Sequence, residues 1–524
     1  MLELVRLLLP FLLFILSLPI FHFFYKTSIS KNPKSSESKT TTFPKPYPII
    51  GHLIAFAQQK SEETFEWLAG HVVSSPSSTF VVHHPFGGQS IYTGHPATVE
   101  HILKTNYPIY SKGPQHKAAF RDVFGDSLIT INGEPWKFQR QIASHMFTPK
   151  SMQNFIENIV DFELNERLIP ILSNAAKNRD VIDLQHVLQR FTFDNICLIA
   201  FGHDPGYLSP SMPQAKFYDA FDDAVTIAFS RFIAPFPIIW KIRKFFNIGD
   251  EKRIRVAIQE IRNYANKIVE QKKQGIHLSE IEDNDLLQRL LKYEELFDEK
   301  LIIDIVTTFI FAGRDPTSAG LTWFFWMLHK NKRVETEIIK EIKKIDYNNN
   351  SALQQIKAMT YTHASLSETM RLYPPVPMDS RQVARDDILP DGTPVKKGTI
   401  VNYIMYAMGR LESLWGPDWA EFRPERWLTE VVSGGGDVGG GGEREWKFES
   451  RDPFTYPVFN AGPRSCLGKE MAYFQMKRIA AGILKRFVVV PTAEEGFEPV
   501  FLAGLTSKMQ GGFPVRIMER CLDH

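Results

Sequence analysis

The sequence predicts an α+β fold dominated by helix. Three observations predict it. Most of the stretch from Pro149 to Leu372 places apolar residues at helical spacing, with long runs such as Glu251 to Lys273 and Leu301 to His329. Strand-like segments are confined to three patches, Phe80 to Thr93, Arg381 to Tyr403 and Phe487 to Met518. No internal repeat divides the body into smaller units.

In chain order, the first element is an apolar run from Leu7 to Tyr25 that carries no Asp, Glu, Lys or Arg. As a helix of about 19 residues at ~1.5 Å per residue it matches a hydrocarbon thickness of ~30 Å. Lys26, Lys31, Lys34, Lys39 and Lys45 follow it, and this basic flank keeps the bulk of the protein on the cytosolic side. A cleaved signal peptide is the competing reading, but a small-residue cleavage site is hard to find after Phe23-Phe24-Tyr25. Thr27 to Thr42 is polar and reads as flexible. Phe43-Pro44-Lys45-Pro46-Tyr47-Pro48-Ile49-Ile50-Gly51 then reads as a stiff extended strut, because proline fixes φ and removes donors. The expected division is a membrane anchor at 1–26, a hinge at 27–50 and a catalytic body at 51–524.

Within the body, Phe80 to Thr93 is a hairpin turning at Gly87-Gly88, and Arg381 to Tyr403 turns at Asp391-Gly392. Phe120 to Ile131 is expected to be a mobile lid. Seven glycines between Gly434 and Gly442 make a surface insertion. It is not a phosphate loop, since Glu443-Arg444 follows where Lys-Ser/Thr is needed.

Composition narrows the function. A net charge of +2 gives no electrostatic footprint for nucleic acid. Three cysteines, Cys197, Cys466 and Cys521, are too few for a disulfide framework and suit a reducing compartment. No CxxC or HxxxH pair offers structural zinc.

The chemistry gathers at Phe459-Asn460-Ala461-Gly462-Pro463-Arg464-Ser465-Cys466-Leu467-Gly468. A thiolate ligand to iron needs nearby N–H donors and a helix start, which the pattern after Gly468 supplies. It needs a tight turn, which Gly462 and Gly468 permit. Phe459 can shield the sulfur, and Arg464 can meet an anionic group. Taken alone, Cys466 reads more simply as a buried structural cysteine in a Gly-rich turn.

The whole pattern, however, resembles the FxxGxRxCxG haem-binding signature of the cytochrome P-450 superfamily, with no mismatched position. Other marks follow in order. Glu368 and Arg371 form ExxR, at a spacing that shares a helix face. Phe422-Arg423-Pro424-Glu425-Arg426-Trp427 resembles the PERF element and makes Arg426 a third member of that network. Trp136-Lys137-Phe138-Gln139-Arg140 resembles WxxxR, and Phe311-Ala312-Gly313-Arg314-Asp315-Pro316-Thr317 resembles the oxygen-binding stretch of the long central helix.

The resemblance implies a P-450 fold behind an anchor helix and haem b ligated by Cys466. Arg464, Trp136, Arg140, Phe459 and Arg381 are the implied cofactor contacts. It implies monooxygenation, in which electron donation from sulfur favours O–O cleavage. Asp315 is the implied acid of proton delivery, but Pro316 stands where the family has a threonine. In one reading Thr317 or a bound water replaces that hydroxyl, helped by the Ala312 carbonyl, which proline deprives of its helix donor. In the other, delivery is impaired and the enzyme leaks peroxide or performs an atypical reaction.

Ala312-Gly313-Arg314-Asp315, Leu321 to Trp326, Arg371 to Pro377, Tyr406 to Arg410 and Trp415-Gly416-Pro417 resemble the plant branch that oxidises the ends of long aliphatic chains. This implies ω-hydroxylation of a fatty acid or related chain. Terminal oxidation of a jasmonoyl–amino acid conjugate or a sterol side chain is an alternative, as is hydroperoxide rearrangement without a reductase. A non-catalytic haem sensor is a further class. Phe120, Phe309, Ala312, Gly313, Val376, Met378 and Leu505 are the implied substrate contacts, with core packing an equal alternative for each. His116, Lys117 and Arg121 are candidates for a carboxylate at the channel mouth, against a solvated face. Ala312 replaces the glutamate that esterifies haem in some animal ω-hydroxylases, so no covalent link is expected.

Electrons are expected from an NADPH-dependent flavoprotein reductase, since no GxGxxG fold appears in the chain. Lys137, Lys469, Lys477 and Arg478 are candidates for docking it. The implied location is the endoplasmic reticulum membrane, with the body facing the cytosol and a lipid-like substrate.

Overall fold

The computed structural model describes residues 41–520, apart from 43, 45, 60–62, 149–150, 152–154, 214–215, 276–284, 294–296, 347–348, 432–444 and 495. The expected anchor, most of the hinge and the Gly434–Gly442 insertion lie outside the described residues. Among the described residues no helix is long and apolar enough to cross a membrane.

Helices make most of the body. Those that position the site are α1 (Gly113–Phe124), α2 (Gly133–Ser144), α3 (Leu184–Phe201), α4 (Lys216–Ile233), α5 (Pro237–Phe246), α6 (Asp250–Lys273), α7 (Glu299–Lys330), α8 (Thr360–Leu372) and α9 (Lys469–Arg486). In α6, Ile254, Ala257, Ile261, Ala265 and Ile268 are buried at steps of three and four, the period that lays one stripe on a core. Asp250 and Glu251 open α6 and Lys272 and Lys273 close it, matching the helix dipole at both ends. The long α7 starts where the Asp298 carboxylate accepts the Leu301 N–H at 2.7 Å. From Ile302 to Leu328 it is buried on nearly every face, so it is the axis of the core rather than an amphipathic surface helix. It crosses α3 where a Cβ on Gly313 would lie 2.4 Å from Ile196, and α9 where one on Gly320 would lie 3.1 Å from Met476.

The main sheet has six strands: β1 (Thr41–Thr42), β2 (Thr79–His83), β3 (Gln89–Thr93), β4 (Tyr110–Ser111), β6 (Asp379–Val383) and β7 (Ile400–Tyr403). They lie in the order β1-β2-β3-β7-β6-β4. β2 and β3 form the expected hairpin, but Phe86 and Gly87 take the positive φ values of its turn, and Gly88 is ordinary extended backbone. Arg381 sits opposite Val401 in the β6–β7 pair. Asp391-Gly392 turns a smaller hairpin inside that region. A second sheet joins β5 (Val181–Asp183) to the chain's last strands, β8 (Phe487–Pro491) and β11 (Pro514–Glu519). Between these lie β9 (Phe501–Leu502) and β10 (Lys508–Met509). β5 therefore interrupts the region read as helical.

Two expectations change. Tyr47 and Gly51 exchange both backbone hydrogen bonds at 2.8 Å, so Tyr47–Gly51 is a tight turn and not an extended strut. Ile49 and Gly51 hold the positive φ that such a turn needs. Phe120–Ile131 is no loose lid. Phe120 and Phe124 are buried in α1, the Asp126 N–H donates to Asp304 at 3.1 Å, and the Thr308 hydroxyl donates to Ser127 at 2.6 Å.

Away from the site, Glu163, Asp194 and Asp204 lie within 4.8 Å of one another. Arg167 donates to Glu163 at 2.6 Å and to Asp204 at 2.9 Å. Burial, reinforced by the Asp194 charge, still pushes the Glu163 carboxyl up to about 9. The unfolded chain releases this proton near 4.5 and the folded chain keeps it to about 9, so stability falls as pH rises through that window. Glu163→Gln, which resembles the protonated form, should flatten that slope and leave the variant more stable than the native protein at the alkaline end. Denaturation midpoints measured across the window check it.

Candidate active site

The Cys466 loop is built from two short 3₁₀ turns, Pro457–Phe459 and Gly462–Arg464, placed before α9. The Cys466 N–H donates to the Phe459 carbonyl at 2.7 Å and closes the loop. Asn460 has φ 58°, and its side chain ties the strained backbone down by accepting from the Ala461 N–H at 2.8 Å and the Tyr403 hydroxyl at 3.1 Å. Gly462 has φ +65°, and a Cβ there would lie 2.1 Å from the Leu103 carbonyl oxygen. Gly462→Ala should therefore lower both stability and cofactor content, by more than the ~1–2 kcal/mol of left-handed strain alone. Gly133→Ala is the comparison, since φ is +70° there with nothing within 4 Å of the new atom. Equal losses in thermal unfolding would show that the Leu103 contact carries no weight.

Cys466 lies deep enough for burial to raise its thiol, yet its surface is accessible. The Gly468 N–H and the charges of Arg140 and Lys469 oppose that rise and favour thiolate. Phe459 packs against Tyr473 at 5.1 Å beside the loop. Arg140 donates to the Ser465 carbonyl at 2.7 Å. Arg464 lies 4.5 Å over the Trp136 ring and donates to the Ile131 carbonyl at 2.7 Å. Trp136 thus lies between two arginines, with Arg140 5.5 Å over the same ring.

Positive charge is in excess here. Lys112, Arg381 and Arg464 converge around one carboxylate, Asp379, which accepts from Lys112 at 2.6 Å and from Arg381 at 2.7 Å. Burial alone would raise Asp379, but Arg381 and Lys112 hold it well below the usual range. Burial pushes Lys112 down to about 8, with Arg381 adding to the effect, and Arg464 is lowered by burial and by Arg381. Arg381 is fully buried, and its Nε and Nη2 have no partner among the described residues. Buried guanidinium donors without acceptors are costly, so this cradle fits a ligand that brings anionic oxygens. Haem, with two propionates, is such a ligand, and Arg381, Arg464 and Lys112 are the residues to hold them. Lys112 and Asp379 escaped sequence reading because they meet only through the pairing of β4 and β6.

His116 is buried beside this cradle, with Nδ1 unpartnered among the described residues. Lys117 and Arg121 instead pair with Asp126, at 3.0 and 2.7 Å. The three do not form one carboxylate site.

Behind the loop, Glu368 accepts from Arg371 twice at 2.8 Å and from Arg426 at 2.8 Å. The Trp427 N–H at 2.9 Å and the Arg423 backbone N–H at 3.1 Å complete its partners. Trp427 was not singled out in the sequence, although it follows Arg426 directly.

The middle of α7 opens at one place. Between Ile302 and Leu328, Ala312 is exposed and Gly313 and Pro316 are partly so, while every other residue is buried. Phe309 and Phe120 are buried, and Phe124 and Phe311 pack at 5.1 Å. Gly313 also gives α3 its close approach. Val376, Met378 and Leu505 are half-buried. Asp315 is buried, raised by burial, and faces Arg314 at 3.3 Å and the Thr506 hydroxyl. Pro316 lies within the continuous helix and Thr317 is buried one residue on. The Ser318 hydroxyl donates to the Asp315 carbonyl at 3.0 Å.

On the surface, Lys477 leaves the docking set. It is buried and donates to the Ile356 carbonyl at 2.9 Å. Arg478 is held by Asp161 at 2.5 and 2.9 Å, and Lys137 by Glu134 at 2.6 Å. Lys469 is exposed.

Comparison with known proteins agrees with this geometry. The family model described as Cytochrome P-450 matches residues 42–510. Cytochrome P-450 94A1 of Vicia sativa is 52% identical over 480 residues, covering 91% of each chain. Cytochrome P-450 94A2 of Vicia sativa is 48% identical over 98% of each chain, and cytochrome P-450 94B1 of Arabidopsis thaliana is 40% identical over 96% of each. The family's cofactor is haem b on a cysteine thiolate, here from Cys466. With a thiolate in a shielded loop, a cradle for anionic oxygens and a matched length of 42–510, the chain belongs to the cytochrome P-450 family of haem-thiolate monooxygenases.

Proposed function

We propose that the chain hydroxylates the terminal carbon of a long-chain fatty acid or related aliphatic chain. The observation that carries this reading is the opening in α7. The smallest side chain with a Cβ, Ala312, stands exposed there, with Phe309 and Phe311 buried just before it on the same helix, an arrangement that suits a slim methyl end. Bound haem supplies O₂ activation, with thiolate donation favouring O–O cleavage. The chain's own residues exclude water, orient the aliphatic end and move protons. Asp315, raised by burial, can carry a proton, and Pro316 leaves the Ala312 carbonyl without its helix donor and free to hold a water.

Electrons come from NADPH through a flavoprotein reductase, for which exposed Lys469 remains on offer. Leu7 to Tyr25 anchors the protein in the endoplasmic reticulum membrane, with the body facing the cytosol. The test is reconstitution with reductase and NADPH, offering a saturated fatty acid, jasmonoyl-isoleucine and a sterol in parallel. A terminal alcohol from the fatty acid is expected. Product from the conjugate or the sterol alone would overturn the reading. Turnover of a lipid hydroperoxide without reductase would replace it with the rearrangement reading.

A further inference from the structure

Beside the Cys466 loop runs a chain of aromatic rings that substrate oxidation does not use. It starts at Phe459, whose carbonyl accepts the Cys466 N–H. Phe459 packs on Tyr473 of α9 with ring centres 5.1 Å apart. Tyr473 and Tyr456 meet at Ser367 of α8. The Tyr473 hydroxyl lies 2.9 Å from the Ser367 Oγ, and the Tyr456 hydroxyl donates to the Ser367 carbonyl at 2.9 Å. The two phenols also share a hydrogen bond. Tyr456 then packs on Trp427 at 4.7 Å. A second line joins the same ends, from Tyr473 to His363 at 4.0 Å, on to Phe448 at 4.2 Å and from there to Trp427 at 6.1 Å. Two lines of rings therefore lead from the thiolate loop to one indole.

The charges around each ring decide where an electron can be given up. A tyrosine must shed its phenolic proton when it loses an electron, and neither phenol donates to a carboxylate among the described residues. Burial pushes the Tyr473 phenol up to about 12 and Tyr456 well above its usual range. Trp415, 5.5 Å beyond Trp427, lies under two guanidinium groups, Arg371 at 5.2 Å and Arg451 at 5.8 Å. Trp136 lies between Arg464 and Arg140 in the same way. Cations over a ring oppose a positive charge in it. Trp427 differs from both. Its N–H donates to the Glu368 carboxylate at 2.9 Å, and Arg371 and Arg426 fix that carboxylate in place from its other sides. A buried positive charge is costly unless it is paired, and here a carboxylate stands on the polar edge of the ring. Trp427 is buried, but Trp419 and Phe448 packed around it are half-buried, so solvent is one side chain away.

We infer that Trp427 is a reducing reserve for the haem, supplying an electron through Tyr456 and Tyr473 when oxidising equivalents gather there without substrate. One electron leaves the Trp427 ring and reduces the haem centre by one equivalent. The Nε1 proton stays in its bond to Glu368, whose negative charge offsets the charge left on the ring. A small reductant at the surface, such as ascorbate, then returns one electron and is itself oxidised by one equivalent. The benefit falls on Cys466, since a thiolate beside an unspent oxidant climbs to sulfenic and sulfinic acid. The inference rests on the haem–thiolate assignment and not on which chain the enzyme hydroxylates.

The experiment uses the full-length, haem-loaded protein without substrate. It is mixed with hydrogen peroxide, frozen within milliseconds and measured by electron paramagnetic resonance, with haem bleaching followed in parallel. The native protein should give a tryptophanyl signal that ascorbate erases. Ring-deuterated tryptophan should narrow that signal and ring-deuterated tyrosine should not, which identifies an indole without any substitution. Trp427→Phe should lose the signal and bleach several-fold sooner, while Trp415→Phe should match the native protein in both. The Tyr456→Leu/Phe448→Leu double variant cuts both lines, keeps the indole and should also suppress the signal. Absence of a protein radical in the native protein overturns the inference, as does a signal that narrows with the tyrosine label. A native signal in Trp427→Phe or in the double variant overturns it too, and so does a lost signal with unchanged bleaching.

Discussion

Cys466→Ala should abolish monooxygenase turnover to the background of haem-free protein. The expectation follows from geometry. The Cys466 side chain is accessible, and its loop is closed by a 2.7 Å hydrogen bond from its own N–H to the Phe459 carbonyl. That bond uses backbone alone, so alanine keeps the loop and removes the ligand. The cationic cradle of Lys112, Arg381 and Arg464 is untouched by the change. Haem should then still bind weakly through its propionates, with the thiolate signature gone from the absorption spectrum. Retained turnover with thiolate ligation would exclude Cys466 and require another sulfur. Cys197 could not take the part without rearrangement, since it is fully buried in the core and its thiol is pushed well above its usual range by burial. Cys466→Ser separates loop from ligand further, because a hydroxyl keeps the size of the group but not its donation to iron.

Glu368→Gln should cost about 3–5 kcal/mol of stability, the typical penalty for breaking a buried ion pair by removing one partner. Glu368 and Arg371 are both essentially without solvent exposure. One carboxylate serves Arg371, Arg426, the Trp427 N–H and the Arg423 N–H. The amide is nearly the same size, so no cavity confuses the result. It removes the charge and faces two guanidinium groups with one acceptor where there were two. Against a typical total of ~5–15 kcal/mol, the loss is a large fraction of stability. Chemical denaturation should show a lower midpoint, with haem lost early in the transition because α8 and the Arg426 turn back the Cys466 loop. A change under ~1 kcal/mol would mean that the network is relaxed and partly hydrated. Arg371→Lys is a useful companion. Lysine keeps the charge but not the planar fork that meets both Glu368 oxygens, so its midpoint should fall between those of the native protein and of Glu368→Gln.

Much of the site was legible in the chain because its parts are local. The Cys466 loop, the Glu368–Arg371 pair and the Trp136–Arg140 pair are each set by spacing within a single turn or helix, and such spacing survives folding unchanged. The helices were legible for the same reason, as α6 and α7 show. Lys477 was misplaced because a lysine gives no sign of its own burial, which depends on the Ile356 carbonyl arriving from another element. The Tyr47–Gly51 turn escaped because alternating prolines describe φ, whereas the turn depends on Ile49 and Gly51 at positive φ and on the Phe86 N–H that donates to the Ile49 carbonyl at 2.7 Å.

By itself, then, the sequence determined the proximal chemistry: which sulfur, which turn, and which glutamate and arginines brace it. Tertiary structure alone decided the charges around it. Lys112 and Asp379 stand 267 residues apart in the chain and, with Arg381, meet only when β4 and β6 pair. Electrostatic fit depends on distance in space and on burial, and neither is written in the spacing of one segment.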